Sequence, residues 1–268
     1  MLEADGAGAV RAALRATRRI ALAGRGRARC FRQLQPREAA PGHRQPSRRR
    51  MVATGRRYKG LTTFLETSAF SATGRAPMSS ERVRWGPRGR ARGVRVDRQL
   101  TTIANGGDVA RPHKLTLHVL AALCELGLRP VAAQVPVCSA RHGGVATACD
   151  LLCISGGASG PQRAHAVEIK CGFLGVREQP FTEHGAPCRM RGHFRKAVDS
   201  HTHRHLAQLA CTAEMLSVDP GLARAMHLVG IDVATSGMSG LLLYASTDGI
   251  DVVELPGWWQ RRAQRLLC

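Results

Sequence analysis

The chain has 268 residues, 40 of them Lys or Arg against 19 Asp or Glu, for a formal net charge of +21. Its nine cysteines are scattered without a C-x-x-C pair, which argues against a disulfide scaffold and for free thiols in a reducing compartment. No apolar run reaches the ~18 residues that cross a bilayer, and no apolar segment before a cleavage site marks a secretory signal, so the reading is an intracellular protein without a membrane partner.

The charge is concentrated. Residues 1–100 carry 24 basic and 6 acidic residues, a net of +18, and the rest of the chain carries only +3. A basic stretch of this kind attracts phosphate backbones without sequence preference, through counterion release. Abundant Arg, Ala and Gly beside scarce Lys is equally what a GC-rich coding sequence produces, so charge speaks to partners and solubility and not to fold. Val10 to Cys30 reads as a basic amphipathic helix, Arg-rich like a mitochondrial presequence, although Glu3, Asp5 and the few hydroxyl residues weigh against that role. Gln33 to Arg50 is rich in Pro, Gln and Arg and reads as disordered, Met51 offers an alternative start, and Phe64 to Met78 reads as a Ser/Thr/Ala linker. Residues 1–88 are therefore expected to form a disordered basic extension and residues 89–268 the folded domain.

Order is expected from about Arg90. Val96, Leu100 and Ile103 share one helix face. Pro112 opens a clearer helix through Leu115, Val119, Leu123 and Leu126, closed by Gly127. Pro130 to Cys138 reads as a strand, with Pro136 pointing to an edge position or a bulge. Two further strands follow, one opening at Asp150 (Asp150 to Ile154) and one over Ala164 to Cys171, joined by the turn Ser155 to Pro161. Alternation along the second puts Glu168 and Lys170 on one face and Ile169 in the core. Antiparallel pairing would bring Asp150 beside Glu168 with a lysine next to them. Two carboxylates held together favour a cation between them, and hard oxygen donors suit Mg²⁺ or Mn²⁺.

Asp150 followed by Glu168-Ile169-Lys170 resembles the motif of the PD-(D/E)XK nuclease superfamily, and more closely its RecB-like and phage-exonuclease-like branch. Cys149 stands where the motif name has proline. The resemblance covers about the C-terminal two-thirds of the chain. It implies an α/β fold, a mixed central β-sheet of five or six strands flanked by helices in the manner of restriction endonucleases. It also implies hydrolysis of DNA phosphodiester bonds with Mg²⁺ or Mn²⁺. Asp150, Glu168 and the backbone carbonyl of Ile169 would then hold the metal, and Lys170 would position or activate the attacking water. In that branch a glutamine on the helix after the E-x-K strand reaches back to the site. Gln208, on the apolar-striped helix Ser200 to Ser217, matches it, with Thr212 in place of the branch's tyrosine. The branch points to an exonuclease of recombination, repair or replication, in the nucleus or a DNA-replication compartment rather than the mitochondrion. The alternative is a nucleic-acid-binding protein that keeps the fold without catalysis.

The remaining elements are weighed more simply. Phe173 to Arg191 reads as an irregular loop, and Arg177, Arg189, Arg191, Arg195 and Lys196 in and after it are candidates for gripping DNA phosphates, against the ordinary reading of a solvated loop. The acids Glu125 and Asp97 and the amide of Gln134 are weak candidates for the site. His201, His203 and His205 lack the glutamate of an H-E-x-x-H zinc motif. Ala225 to Ala234, Gly240 to Ala245 and Gly249 to Leu255 read as strands, the last two as a hairpin, and Trp258 to Leu267 as a closing helix.

Overall fold

The computed structural model describes residues 50–267 apart from 54–55, 75, 77–79, 140–143, 157–161, 174, 229 and 234–236. The presequence-like segment Val10 to Cys30 and the Pro/Gln/Arg-rich stretch up to residue 49 lie outside these residues. A mixed seven-stranded sheet organises the fold. Its order is β1 (Arg50–Ala53), β2 (Arg56–Gly60), β4 (Val145–Ser155), β5 (Arg163–Cys171), β8 (Ser239–Ala245) and β9 (Ile250–Glu254), with β3 (Leu128–Ser139) along the other edge of β4. β2 with β4 and β5 with β8 are parallel pairs, and the other pairs are antiparallel.

β4 explains how the sheet opens a site. One of its edges is taken by β3 from end to end, Ser139↔Val145 to Leu128↔Ser155. The other edge is divided: β2 pairs only with Val145 and Ala146, and β5 only from Leu151 to Ser155. Thr147 to Asp150 fall in the gap between those two partners. Pro136 sits on β3, an outer strand, where its missing N–H costs no ladder bond.

Strand alternation separates two apolar layers. α1 (Leu61–Ser68), α4 (His201–Ser217), α5 (Pro220–His227) and α6 (Gly257–Leu267) pack with Leu152, Ile154, Ala166 and Leu242 on one face. α2 (Ser80–Ala104) and α3 (Lys114–Glu125) cover the other through Val96, Leu100, Leu115, Val119 and Leu123, against Leu151, Val167 and Ile169. The ends of these helices follow local chemistry. The His113 side chain accepts from Leu115 N at the start of α3, Ser200 caps α4 through His203 N, and Gly127 takes a φ of +63° beyond the end of α3.

Three expectations are corrected. The folded region does not begin at residue 89: β1, β2 and α1 precede it, and Leu61 together with Phe64, Leu65, Ala69 and Phe70 of the expected linker are core residues. Their i, i+3, i+4 spacing outweighs the hydroxyl-rich composition between them. Among its described residues the expected strand Ala225 to Ala234 is not a strand, and it opens within a helix. Asp219 accepts from Leu222 N and Pro220 occupies the first turn, so proline starts α5 rather than ending α4, and Leu222, Ala225 and Met226 bury one helical face. Asp150 does not open its strand but lies in the middle of β4.

Asp199 fastens the N-terminal segment to α4. It is fully buried and accepts from Arg204 Nε at 2.6 Å and Nη2 at 2.7 Å, and from Ser71 N at 2.8 Å and Oγ at 2.6 Å. The Arg204 guanidinium lies 3.8 Å from the Phe181 ring centroid and 4.7 Å from that of Phe70. Burial pushes the Asp199 carboxyl up, but the bonds from Arg204 and Ser71 outweigh it and hold it below the ordinary value of 3.8. Asp199→Ala leaves a half-buried guanidinium and the Ser71 donors without their acceptor and should cost about 1–3 kcal/mol, read as a lower urea midpoint. The contribution is present above the unfolded value and is lost as pH falls through the lower folded one.

Candidate active site

Glu168 and Lys170 leave β5 on the α4 side, while Val167 and Ile169 enter the layer under α2 and α3. Because Leu151 pairs with Val167, the antiparallel register sets Asp150 opposite Glu168, one step beyond the last ladder pair. There the Asp150 carboxylate takes the place of a strand partner: Oδ2 accepts from Ile169 N at 2.9 Å. Its Oδ1 accepts from Gln134 Nε2 at 3.3 Å. Gln134 lies between the pairs Ala133↔Leu151 and Val135↔Cys149 and has a φ of +49°, a left-handed conformation that costs a non-glycine residue about 1–2 kcal/mol. The strained backbone turns this amide onto the carboxylate.

Glu168 is 3% exposed. Its Oε1 accepts from Lys170 Nζ at 2.5 Å and Gln208 Nε2 at 2.9 Å, and Lys170 Nζ also reaches Gln208 Oε1 at 3.5 Å. Oε2 is buried and has no hydrogen-bond partner. A buried carboxylate oxygen without a partner is costly unless something else fills its place. Thr212, where the branch carries tyrosine, donates to Gln208 O one turn along α4 and stays buried.

The three charged groups act on one another. Burial, then the Asp150 charge, pushes Glu168 up to about 7 against the pull of Lys170. Burial also raises Asp150, opposed by Lys170 and by the bonds from Ile169 and Gln134. For Lys170 burial pushes downward, but the charges of Glu168 and Asp150 outweigh it, so the ammonium is held above its ordinary range. Asp97 on α2 is close enough for its charge to add to the upward push on Glu168 and Cys171.

The donor set fits a hard divalent cation. Glu168 Oε2 lacks a partner, Asp150 stands opposite, and both are oxygen donors. Among the described residues no group of three or more His, Cys, Asp or Glu forms a protein cage. A cation here would keep several waters, as Mg²⁺ prefers.

The expected phosphate-gripping residues separate. Arg191 is structural: Nε donates to Phe70 O at 2.5 Å and Nη2 to Glu66 O at 2.8 Å, so it closes the end of α1. Arg189 Nη1 donates to Lys196 O at 2.9 Å within the loop, which also holds the two-residue pair β6 (Thr182–Glu183) and β7 (Ala186–Pro187). Arg177 pairs with Asp251 at 3.1 Å and lies over the Tyr244 ring. Arg195 follows a single 3-10 turn, Gly192–Phe194. Lys196 faces a groove beside α6. These side chains do not form one cradle over Asp150 and Glu168.

The histidines of α4 pack rather than cluster for zinc. His203 Nδ1 lies 2.6 Å from Val198 O, and the ring stacks on Trp259. His201 rests against Phe173 and Phe181, and His205 Nδ1 lies 2.9 Å from Tyr244 Oη. Glu125 is exposed at the end of α3. Tyr244 was not singled out by sequence pattern. The parallel β5–β8 register sets it beside Lys170, and only strand order, which crosses 73 residues of chain, makes them neighbours.

Comparison with protein-family models, with curated proteins and with solved structures finds no match to this chain. The site therefore stands on its own geometry.

Proposed function

We propose that the chain is a metal-dependent hydrolase of DNA phosphodiester bonds, built on a restriction-endonuclease-like core, with exonuclease action in recombination, repair or replication taken from the resemblance noted above. One observation carries the reading: Glu168 Oε2 is buried without a partner beside Asp150, while Lys170 and Gln208 occupy its other oxygen. Asp150 and Glu168 would hold Mg²⁺ or Mn²⁺. When bound, the ion supplies positive charge against the phosphate and a more acidic water. Lys170 has three N–H donors. Glu168 Oε1 and Gln208 Oε1 take two, which leaves the third for a water or a phosphate oxygen. Because its ammonium is held above the ordinary range, Lys170 orients and stabilises negative charge rather than accepting a proton. Gln208 fixes the lysine and the carboxylate relative to each other.

The test is cleavage of linear and circular duplex DNA with Mg²⁺ or with EDTA. Digestion of linear DNA alone supports the exonuclease mode, nicking of circles replaces it with an endonuclease, and tight binding without cleavage under Mg²⁺ or Mn²⁺ overturns the hydrolase. Gln208→Ala should lower the rate about tenfold or more through misplacement of Lys170, with Gln208→Glu failing to rescue because it adds a third carboxylate.

A further inference from the structure

α6 buries Trp259, Ala263, Leu266 and Leu267. Its opposite stripe is Trp258, Arg261, Arg262 and Arg265, spaced i, i+3, i+4 and i+7 on one face. With Lys196 and His203 these residues line an open groove of about 540 Å³, to which no carboxylate contributes. Among the described residues none of the four cations forms an ion pair. Trp258 is 36% exposed and caps a pile of buried rings. Its centroid lies 4.4 Å from Trp259, which stacks at 5.1 Å on Phe194 and at 5.6 Å on His203. An indole backed in this way has little side-chain freedom left to lose on binding.

Clustered cations around a groove favour a polyanion, and an accessible, fixed indole offers a face to a planar ring. A nucleic-acid strand with unpaired bases supplies both phosphates and rings. An anionic membrane matches less well, because an interfacial helix needs an apolar face to insert and that of α6 is spent on the core. We propose that this groove binds a single strand of nucleic acid, with Lys196 and the three arginines on its phosphates and Trp258 stacked on a base. The class of polymer rests on the hydrolase reading, but the residues are separate from Asp150, Glu168, Lys170 and Gln208. His203 in the groove and Gln208 at the carboxylates lie on the same helix, five residues or about 7.5 Å of rise apart. The same five-residue step turns about 140° around the helix axis, so the groove and the carboxylates lie on different sides of α4.

The experiment is fluorescence anisotropy of a labelled oligothymidylate of about ten nucleotides with the full chain in EDTA, where cleavage does not contribute. Trp258→Ala should weaken binding about tenfold or more, and should leave binding of a duplex of the same length within about twofold because paired bases cannot stack on the indole. Arg261→Ala with Arg265→Ala should reduce the slope of log affinity against log salt by about 1.5. Quenching of tryptophan emission in the unsubstituted chain reads the same stacking with no variant to fold. Unchanged oligothymidylate binding in Trp258→Ala, equal losses on strand and duplex, absence of quenching, or losses confined to phosphatidylserine vesicles would each overturn the proposal. A chain that binds through the groove but never cleaves upholds it and removes the hydrolase. A chain that cleaves but ignores these substitutions does the reverse.

Discussion

Lys170→Ala should lower metal-dependent DNA cleavage by about 10²–10⁴-fold, the range that a positioned group acting on the reacting water or phosphate contributes. The lysine is held by Glu168 Oε1 and Gln208 Oε1 rather than by solvent, so no neighbouring side chain substitutes for it. Removing it also withdraws a charge that opposes the upward shift of Glu168 and Asp150. Some loss at neutral pH would then come from weaker cation binding. Measuring rates at about pH 8.5 with saturating Mn²⁺ separates the two effects, because high pH and excess cation both favour the ionised, liganding carboxylates. A variant that cleaves at the parental rate under those conditions sinks the assignment of Lys170, and with it the reading of the site as hydrolytic.

The second large effect is a pH dependence of cation affinity. Without a cation Glu168 titrates near 7, above its ordinary 4.5. A carboxylate must lose its proton to ligate, so apparent Mn²⁺ affinity should fall about tenfold for each pH unit below 7 and level off above it. Calorimetry in two buffers of different ionisation enthalpy should show about one proton released per cation at pH 6 and close to none at pH 8.5. The folded value lies above the unfolded one, so the group stabilises the cation-free protein most below pH 4.5 and that contribution is lost as pH rises through 7. Added Mn²⁺ should therefore raise the Tm most on the alkaline side, and Glu168→Gln should lose that increment. Affinity that is flat between pH 6 and 8 would show that Glu168 is not a ligand.

The centre of the site was readable because it rests on one local rule. In-strand alternation places Glu168 and Lys170 together and Ile169 beneath them, and a short hairpin carries Asp150 across to them. Gln208 needed the expectation that the helix after the strand folds back, and α4 does so. The rest failed where long-range pairing decides. Asp150 looked like a strand opener because the small residues Ala146 to Cys149 hide the first half of β4, which β2 and β3 complete from distant segments. Tyr244 reaches the site only through register, whereas Gln134, a weak candidate from its strand, does donate to Asp150. The loop arginines looked alike in composition, yet Arg191 closes the end of α1 and Lys196 faces α6. Charge in a sequence says nothing of which carbonyls a guanidinium will meet.

Because β2 fills part of one edge of β4 and α1 lies in the main core, the arginine-rich leader and the folded body do not meet at a dispensable linker. Translation that began at Met51, or a processing cut just before it, would shed 13 of the 40 Lys and Arg residues and keep almost the whole of β1 and all of β2 and α1. Initiation at Met78 would instead strip the two strands β1 and β2, take Leu61, Phe64 and Leu65 from the interior, and leave the buried Asp199 without Ser71. The stretch from Arg50 to Ser71 thus sets how far any shortening of this protein can go before the sheet itself is exposed.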